Sequence, residues 1–182
     1  MSKTNSQSHT NAITSLKADH QKVKGLFDEF EKANDRASKM TIVSEALEEL
    51  SIHATLEEEI FYPAVRPVVE DEVMNEADQE HHVAKILIAE LEEMDGTESH
   101  YDAKFTVLAE NVRHHIKEEE ETMLPVVQKT ELDFDALGEE MHALKEELRS
   151  EGVPTTDEAD MVAKSEGHGD SPAASATATA SH

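Results

Sequence analysis

The 182-residue chain contains no cysteine and no tryptophan. Disulfides, thiolate metal sites and thiol nucleophiles are therefore excluded. Only six glycines and five prolines interrupt it, too few to suggest a glycine-rich phosphate loop or a nucleophile elbow, and neither motif occurs. No apolar run approaches the roughly 20 residues of a membrane span. The N-terminus, MSKTNSQSHTNAITSL, lacks the basic and apolar regions of a signal peptide. The expectation is a soluble, cytoplasmic protein. Positive charge is scarce too: 16 Lys and Arg stand against 41 Asp and Glu, a formal net charge of −25. Such a surface repels nucleic acid and anionic membranes, so neither is expected as a partner. The acidity suits solubility first and cation capture second.

What the chain does have is helical periodicity. Residues 1–11 are polar and aperiodic, and read as a flexible N-terminus. From 12 to 150 the chain is rich in Ala, Glu, Leu, Lys and Val, broken at NDRAS, after YPAVRP, at DGTES and near Pro125. Four long amphipathic helices are expected, about 12–33, 38–65, 71–94 and 99–128, with a shorter fifth over about 131–149. Residues 151–182 are low in complexity, dominated by Ala, Ser, Thr, Gly and acids, and are expected to be disordered.

The helices repeat. DHQKVKGLFDEF at 19–30 resembles EHHVAKILIAEL at 80–91, an offset of 61. HATLEEEIFYPAV at 53–65 resembles HIKEEEETMLPVV at 115–127, an offset of 62. Two duplicated helix hairpins bury their stripes as an all-α, antiparallel up-and-down four-helix bundle with a pseudo-two-fold axis.

Alternating steps of three and four residues trace the inward seam of each helix. The first gives Ile13, Leu16, His20, Val23, Phe27 and Phe30, and the third Met74, Ala77, His81, Ala84, Ile88 and Leu91. The second gives Val43, Ala46, Leu50, His53, Glu57, Ile60 and Ala64. The fourth gives Phe105, Leu108, Val112, His115, Glu119, Thr122 and Val126. The register selects His115 over His114, His81 over His82, Glu57 over its neighbours Glu58 and Glu59, and Glu119 over the acids beside it. Residues four apart on a helix share one face, about 6 Å apart at Cβ, close enough to serve one metal centre.

Burying an unpaired carboxylate costs several kcal/mol, and no Lys or Arg stands in the seams to offset it. Two metal ions bridged by the carboxylates resolve the imbalance. His20, His53, Glu57, His81, His115 and Glu119 are the candidate ligands. A set of four imidazoles and two carboxylates suits iron, manganese or zinc. Two octahedral ions would keep open positions, and on a redox metal these point to oxygen, hydrogen peroxide or nitric oxide. Only one Glu-x-x-His pair occurs, Glu139 to His142, which argues against a ferritin-like oxidase.

The ordered set His20, HATLE (His53, Glu57), His81, HIKEE (His115, Glu119) resembles the hemerythrin-like, HHE cation-binding family over about residues 12–128. The resemblance implies a non-haem di-iron centre bridged by both glutamates and an oxo or hydroxo group. It places His20 and His53 on one iron, and His81 and His115 on the other. Oxygen-carrying hemerythrins have a second histidine one turn after the third-helix histidine, where this chain has Lys85. That iron is expected to be more open, favouring substrate access over reversible oxygen carriage. The expected function is binding or decomposition of small oxidants, with catalase-like peroxide removal or sensing of oxygen or nitric oxide as its concrete forms. The alternative is an iron-responsive or iron-buffering module without catalysis. Tyr62 and Tyr101 read as ordinary half-buried tyrosines rather than as site residues.

Overall fold

The structure, a computed structural model, describes residues 11–166. Helix α1 (Ala12–Lys32) starts where the Asn11 side chain accepts a hydrogen bond from the Ile13 N–H. Helix α2 (Arg36–Leu56) starts where the Asp35 carboxylate accepts one from Ser38. Each cap satisfies an N–H that the helix itself leaves unpaired. Only three residues separate α1 from α2, which forces the two to pack antiparallel. Helix α2 runs on through one π-helical turn (Glu57–Phe61) into α3 (Tyr62–Val65), and a 3₁₀ turn (Arg66–Val68) ends the rod.

The second half repeats this plan. Helix α4 (Asp71–Glu92) opens with two acids that suit its positive N-terminal dipole. Helix α5 (Tyr101–Glu118) passes through a second π-helical turn (Glu119–Met123) into α6 (Leu124–Val127). The four rods form the expected bundle, and no strand occurs among the described residues. The π-helical turns fall 62 residues apart, the offset of the sequence repeat.

Those turns correct the seam beyond each glutamate. A proline follows each, Pro63 and Pro125, and its ring would clash with a carbonyl in a tight α-turn. The wider turn accommodates it and inserts one residue, rotating the remainder of the rod by about 100°. Phe61, Tyr62 and Val65 are therefore buried where Ile60 and Ala64 were expected, and both of those are only partly buried. In the other half Met123, Leu124 and Val127 are buried, while Thr122 and Val126 face solvent.

The apolar interior has two parts. One gathers Leu16, Ile52, Leu56, Phe61, Met74, Met123 and Leu124, and the other Val23, Phe27, Phe30, Leu50, Phe105 and Leu108. The buried His and Glu residues lie between them.

Helix α7 (Phe134–Glu151) is the expected fifth helix, packed across α1 and α2. It is tied there by Lys145 to Asp19 and by Arg149 to Glu49. Helix α8 (Asp157–Glu166) corrects the expectation of disorder from 151 onward. The Thr156 hydroxyl accepts from the Ala159 N–H, three acids occupy the first turn, and Val162 buries itself as the helix packs on α4. The expected flexible segment 1–11 lies outside the described residues apart from Asn11, as does the tail after 166.

Candidate metal centre

All six candidate ligands converge. His20, His53, His81 and His115 are 1–6% exposed, Glu57 is fully buried and Glu119 is 1% exposed. Their donor atoms form two groups: His20, His53, Glu57 and Glu119 in one, and Glu57, His81 and His115 in the other. Glu57 belongs to both, one oxygen 3.2 Å from His53 Nε2 and the other 3.2 Å from His81 Nε2. The excluded neighbours His114, Glu58 and Glu59 lie on the exposed side.

Behind every imidazole stands a second carboxylate. Glu120 is 3.0 Å from His20 Nδ1, Glu58 is 3.0 Å from His81 Nδ1, and Glu80 is 2.8 Å from His115 Nδ1. Asp19 lies 3.8 Å from His53 Nδ1. The arrangement follows the repeat. An acid just before the histidine of α1 or α4 serves the histidine of the next helix, and an acid just after the bridging-type glutamate serves the histidine across the bundle. At the three contacts of 2.8–3.0 Å the carboxylate only accepts, so it holds the proton on Nδ1 of His20, His81 and His115 and leaves Nε2 as a lone pair aimed at the centre. The sequence carries this signal in Asp19-His20, Glu80-His81, Glu57-Glu58 and Glu119-Glu120, where it passes for flanking charge.

These tautomers set acceptors against acceptors. His20 Nε2 lies 3.3 Å from Glu119 Oε2, and His81 Nε2 lies 3.2 Å from His115 Nε2. His20 Nε2, His53 Nε2, Glu57 Oε1 and Glu119 Oε2 are buried with no hydrogen-bond partner, and all four belong to the first group. Lone pairs packed this way need a cation between them, so the residues fit a metal.

Without a metal, protons take that role. Burial alone would depress His53, but the charge of Glu57 and the neighbouring carboxylates of Asp19 and Glu57, 3.8 and 3.2 Å away, outweigh it and raise its pKa to about 10. His115 rises to about 10 against the same burial penalty, through Glu57 and Glu80. Glu57 resists its own burial and stays well below the usual carboxylate range, held there by His53, His115 and His81.

Tyr62 corrects the reading of an ordinary half-buried tyrosine. It is 2% exposed, and its hydroxyl lies 3.0 Å from Glu119 Oε1 and 3.2 Å from His81 Nε2. His115 Nε2 and Glu57 Oε2 are each 3.4 Å away. Burial, then the charges of Glu57 and Glu119, push the phenol well above its usual pKa, keeping the proton on oxygen. The π-helical turn puts it there, because Tyr62 sits five residues beyond Glu57. The equivalent residue of the other half, Leu124, has no hydroxyl, so the two groups are chemically unlike.

Lys85 donates to Glu58 at 3.1 Å and lies 3.5 Å from Glu158 of α8, instead of joining the donor atoms. Its repeat equivalent, Lys24, donates to Glu120 at 3.3 Å.

The bundle and its paired His–carboxylate groups define a cation-binding helical domain. Residues 11–127 match the hemerythrin HHE cation binding domain, and the chain belongs to that family. It is similar to the crystal structure of a hemerythrin HHE cation binding domain-containing protein from Mycobacterium kansasii. Identity there is 27%, the TM-score is 0.65, and the match covers 78% of this chain and 94% of the other. It is also 27% identical, over 112 residues, to a Nostoc protein named DNA nickase. That match takes in 62% of this chain and only 32% of the relative's length.

Proposed function

We propose that this chain is a non-haem di-iron protein that acts on small oxidants, with disproportionation of hydrogen peroxide as its reaction. The observation that carries the reading is a pair of buried, unlike donor groups sharing Glu57, one completed by Glu119, with the Tyr62 hydroxyl set between them against Glu119 and His81. A donor set of nitrogen and oxygen without sulfur suits iron, and the sharing of Glu57 suits two ions rather than one.

His20, His53, Glu57 and Glu119 would hold one ion, and Glu57, His81 and His115 the other. Bound iron supplies the electron-accepting and electron-donating capacity that converts two peroxides into two waters and one dioxygen. Peroxide serves as both oxidant and reductant, so no separate redox partner is required. The protein's own contribution is positional. Glu120, Glu58 and Glu80 fix the tautomers of His20, His81 and His115, and the two apolar clusters keep bulk water out of the centre. The Tyr62 hydroxyl supplies a hydrogen-bond donor, with its proton at Oη, between the two groups. General acid–base assistance of this kind contributes about 10²-fold or more. The proposed location is cytoplasmic. No described helix is long and apolar enough to cross a membrane. The DNA-directed name of the Nostoc relative is not extended to this chain, whose charge of −25 opposes phosphate binding.

Anaerobic loading with Fe(II), elemental analysis and then peroxide addition at an oxygen electrode test the reading. Two irons per chain and one dioxygen per two peroxides are expected. A chain that binds two irons yet leaves peroxide untouched would overturn the catalytic reading, leaving a non-catalytic iron-holding module.

A further inference from the structure

Three cavities meet at Lys85. The four candidate histidines, His20, His53, His81 and His115, line a small interior cavity of about 30 Å³ that also touches Ala54, Lys85 and Ile88. The same three residues line a surface cavity of about 170 Å³ between α2 and α4, roofed by residues 153–156 and Ala159. A third depression, of about 300 Å³, is lined by Glu58, Tyr62, Arg66 and Lys85. Ala54, Ile88 and Lys85 thus form the boundary between the roofed cavity and the histidine-lined one, and one of the three side chains is long, flexible and charged.

We propose that the roofed cavity is the vestibule through which small ligands reach the centre, and that Lys85 sets which charge passes. This rests on the metal-binding part of the reading above. The Lys85 ammonium is shared by Glu58, the outer partner of His81, and Glu158, from a helix that lies beyond the family match. Its charge offsets these two carboxylates at the mouth. On a chain of net charge −25, an anion approaching an unneutralised mouth is turned away, whereas a neutral ligand is indifferent to it. The roof contributes through Glu158, which lies 2.8 Å from His82 Nδ1 as well and so pins α8 over the opening. The duplicated half supplies a natural comparison. Lys24 makes the same tie to an outer carboxylate, Glu120, but lines none of the three cavities.

The test uses full-length, iron-loaded protein and stopped-flow absorbance. Azide on the oxidised form is the anionic probe, and nitric oxide on the reduced form is the neutral one. Lys85→Met, which keeps length and removes charge, is expected to slow azide association about 10-fold and to change nitric oxide association less than 2-fold. Glu158→Gln is expected to speed azide by a few-fold. Ala54→Phe, which fills the boundary between the two cavities, is expected to slow both probes. Lys24→Met reports the general effect of losing one positive charge. The proposal is overturned if Lys85→Met slows azide no more than Lys24→Met does, or if a folded Ala54→Phe admits both probes at the wild-type rate. Should Ala54→Phe fail to fold, the two lysine variants decide alone. A chain that takes up no metal overturns both this route and the metal-binding reading, whereas one that takes up metal and shows no route effect overturns the route alone.

Discussion

The Tyr62 hydroxyl donates to Glu119 Oε1 across 3.0 Å, joining the end of one π-helical turn to the start of the other. Replacing Tyr62 with Phe keeps the packed ring and removes only this donor. Iron content should stay at two per chain, while peroxide turnover falls about 10²-fold. Parallel elemental analysis and oxygen-electrode traces check both halves of that expectation.

Glu57 and Glu119 should not be equivalent. Glu57→Gln removes a ligand from both groups and is expected to lower iron content toward zero. Glu119→Gln weakens chiefly the His20 and His53 group, leaving about one iron per chain. Glu120→Gln takes the charge from the side chain that His20 Nδ1 shares with Lys24 and is expected to weaken iron binding about 10-fold without changing the stoichiometry at saturation. His114→Ala should leave both unchanged. Titration with Fe(II) under anaerobic conditions separates these outcomes.

The metal-free chain should be sensitive to alkali. His53 and His115 rise from an ordinary 6.5 to about 10 in the folded state. A raised folded pKa contributes stability that is complete below pH 6.5 and is lost as pH climbs through about 10, because the unfolded histidines have already released their protons. Melting temperature of the metal-free protein should therefore decline across that window. Iron takes over the protons' role, so the loaded protein should melt higher and show a flatter profile. Melting scans with and without iron at several pH values check this; equal curves would remove the cation from the account.

Phe105 packs against Phe27 and Phe30 at ring-centroid distances of 5.7 and 4.5 Å, on the far side of the donor atoms from Tyr62's cluster. Phe105→Ala should cost about 3–5 kcal/mol of stability while sparing iron stoichiometry at low temperature. Denaturant unfolding paired with metal analysis measures the two effects separately.

The bundle and the six candidate ligands were legible because a 3–4 seam is a direct image of one helix face. His20, His53, His81 and His115 stood out as polar breaks in otherwise apolar stripes. The seam failed just past Glu57 and Glu119, since a one-residue insertion leaves no mark on composition. Pro63 and Pro125 were the only trace, and they stood near the ends of the expected helices without marking a widened turn. Tyr62 is concealed for the same reason: its position depends on five residues, not four, separating it from Glu57. Helix α8 was hidden by the low-complexity tail around it. Its order rests on one hydroxyl cap and on Glu158 finding His82 and Lys85, partners more than 70 residues away.

A doubled hairpin ought to yield twin cradles that fill together and release together. The swap of a phenol at 62 for an isobutyl group at 124 ends that twinship. Successive ions should then arrive at unequal affinities, so that a half-loaded species can be caught and its single occupant recognised by whether the tyrosine absorbance has moved.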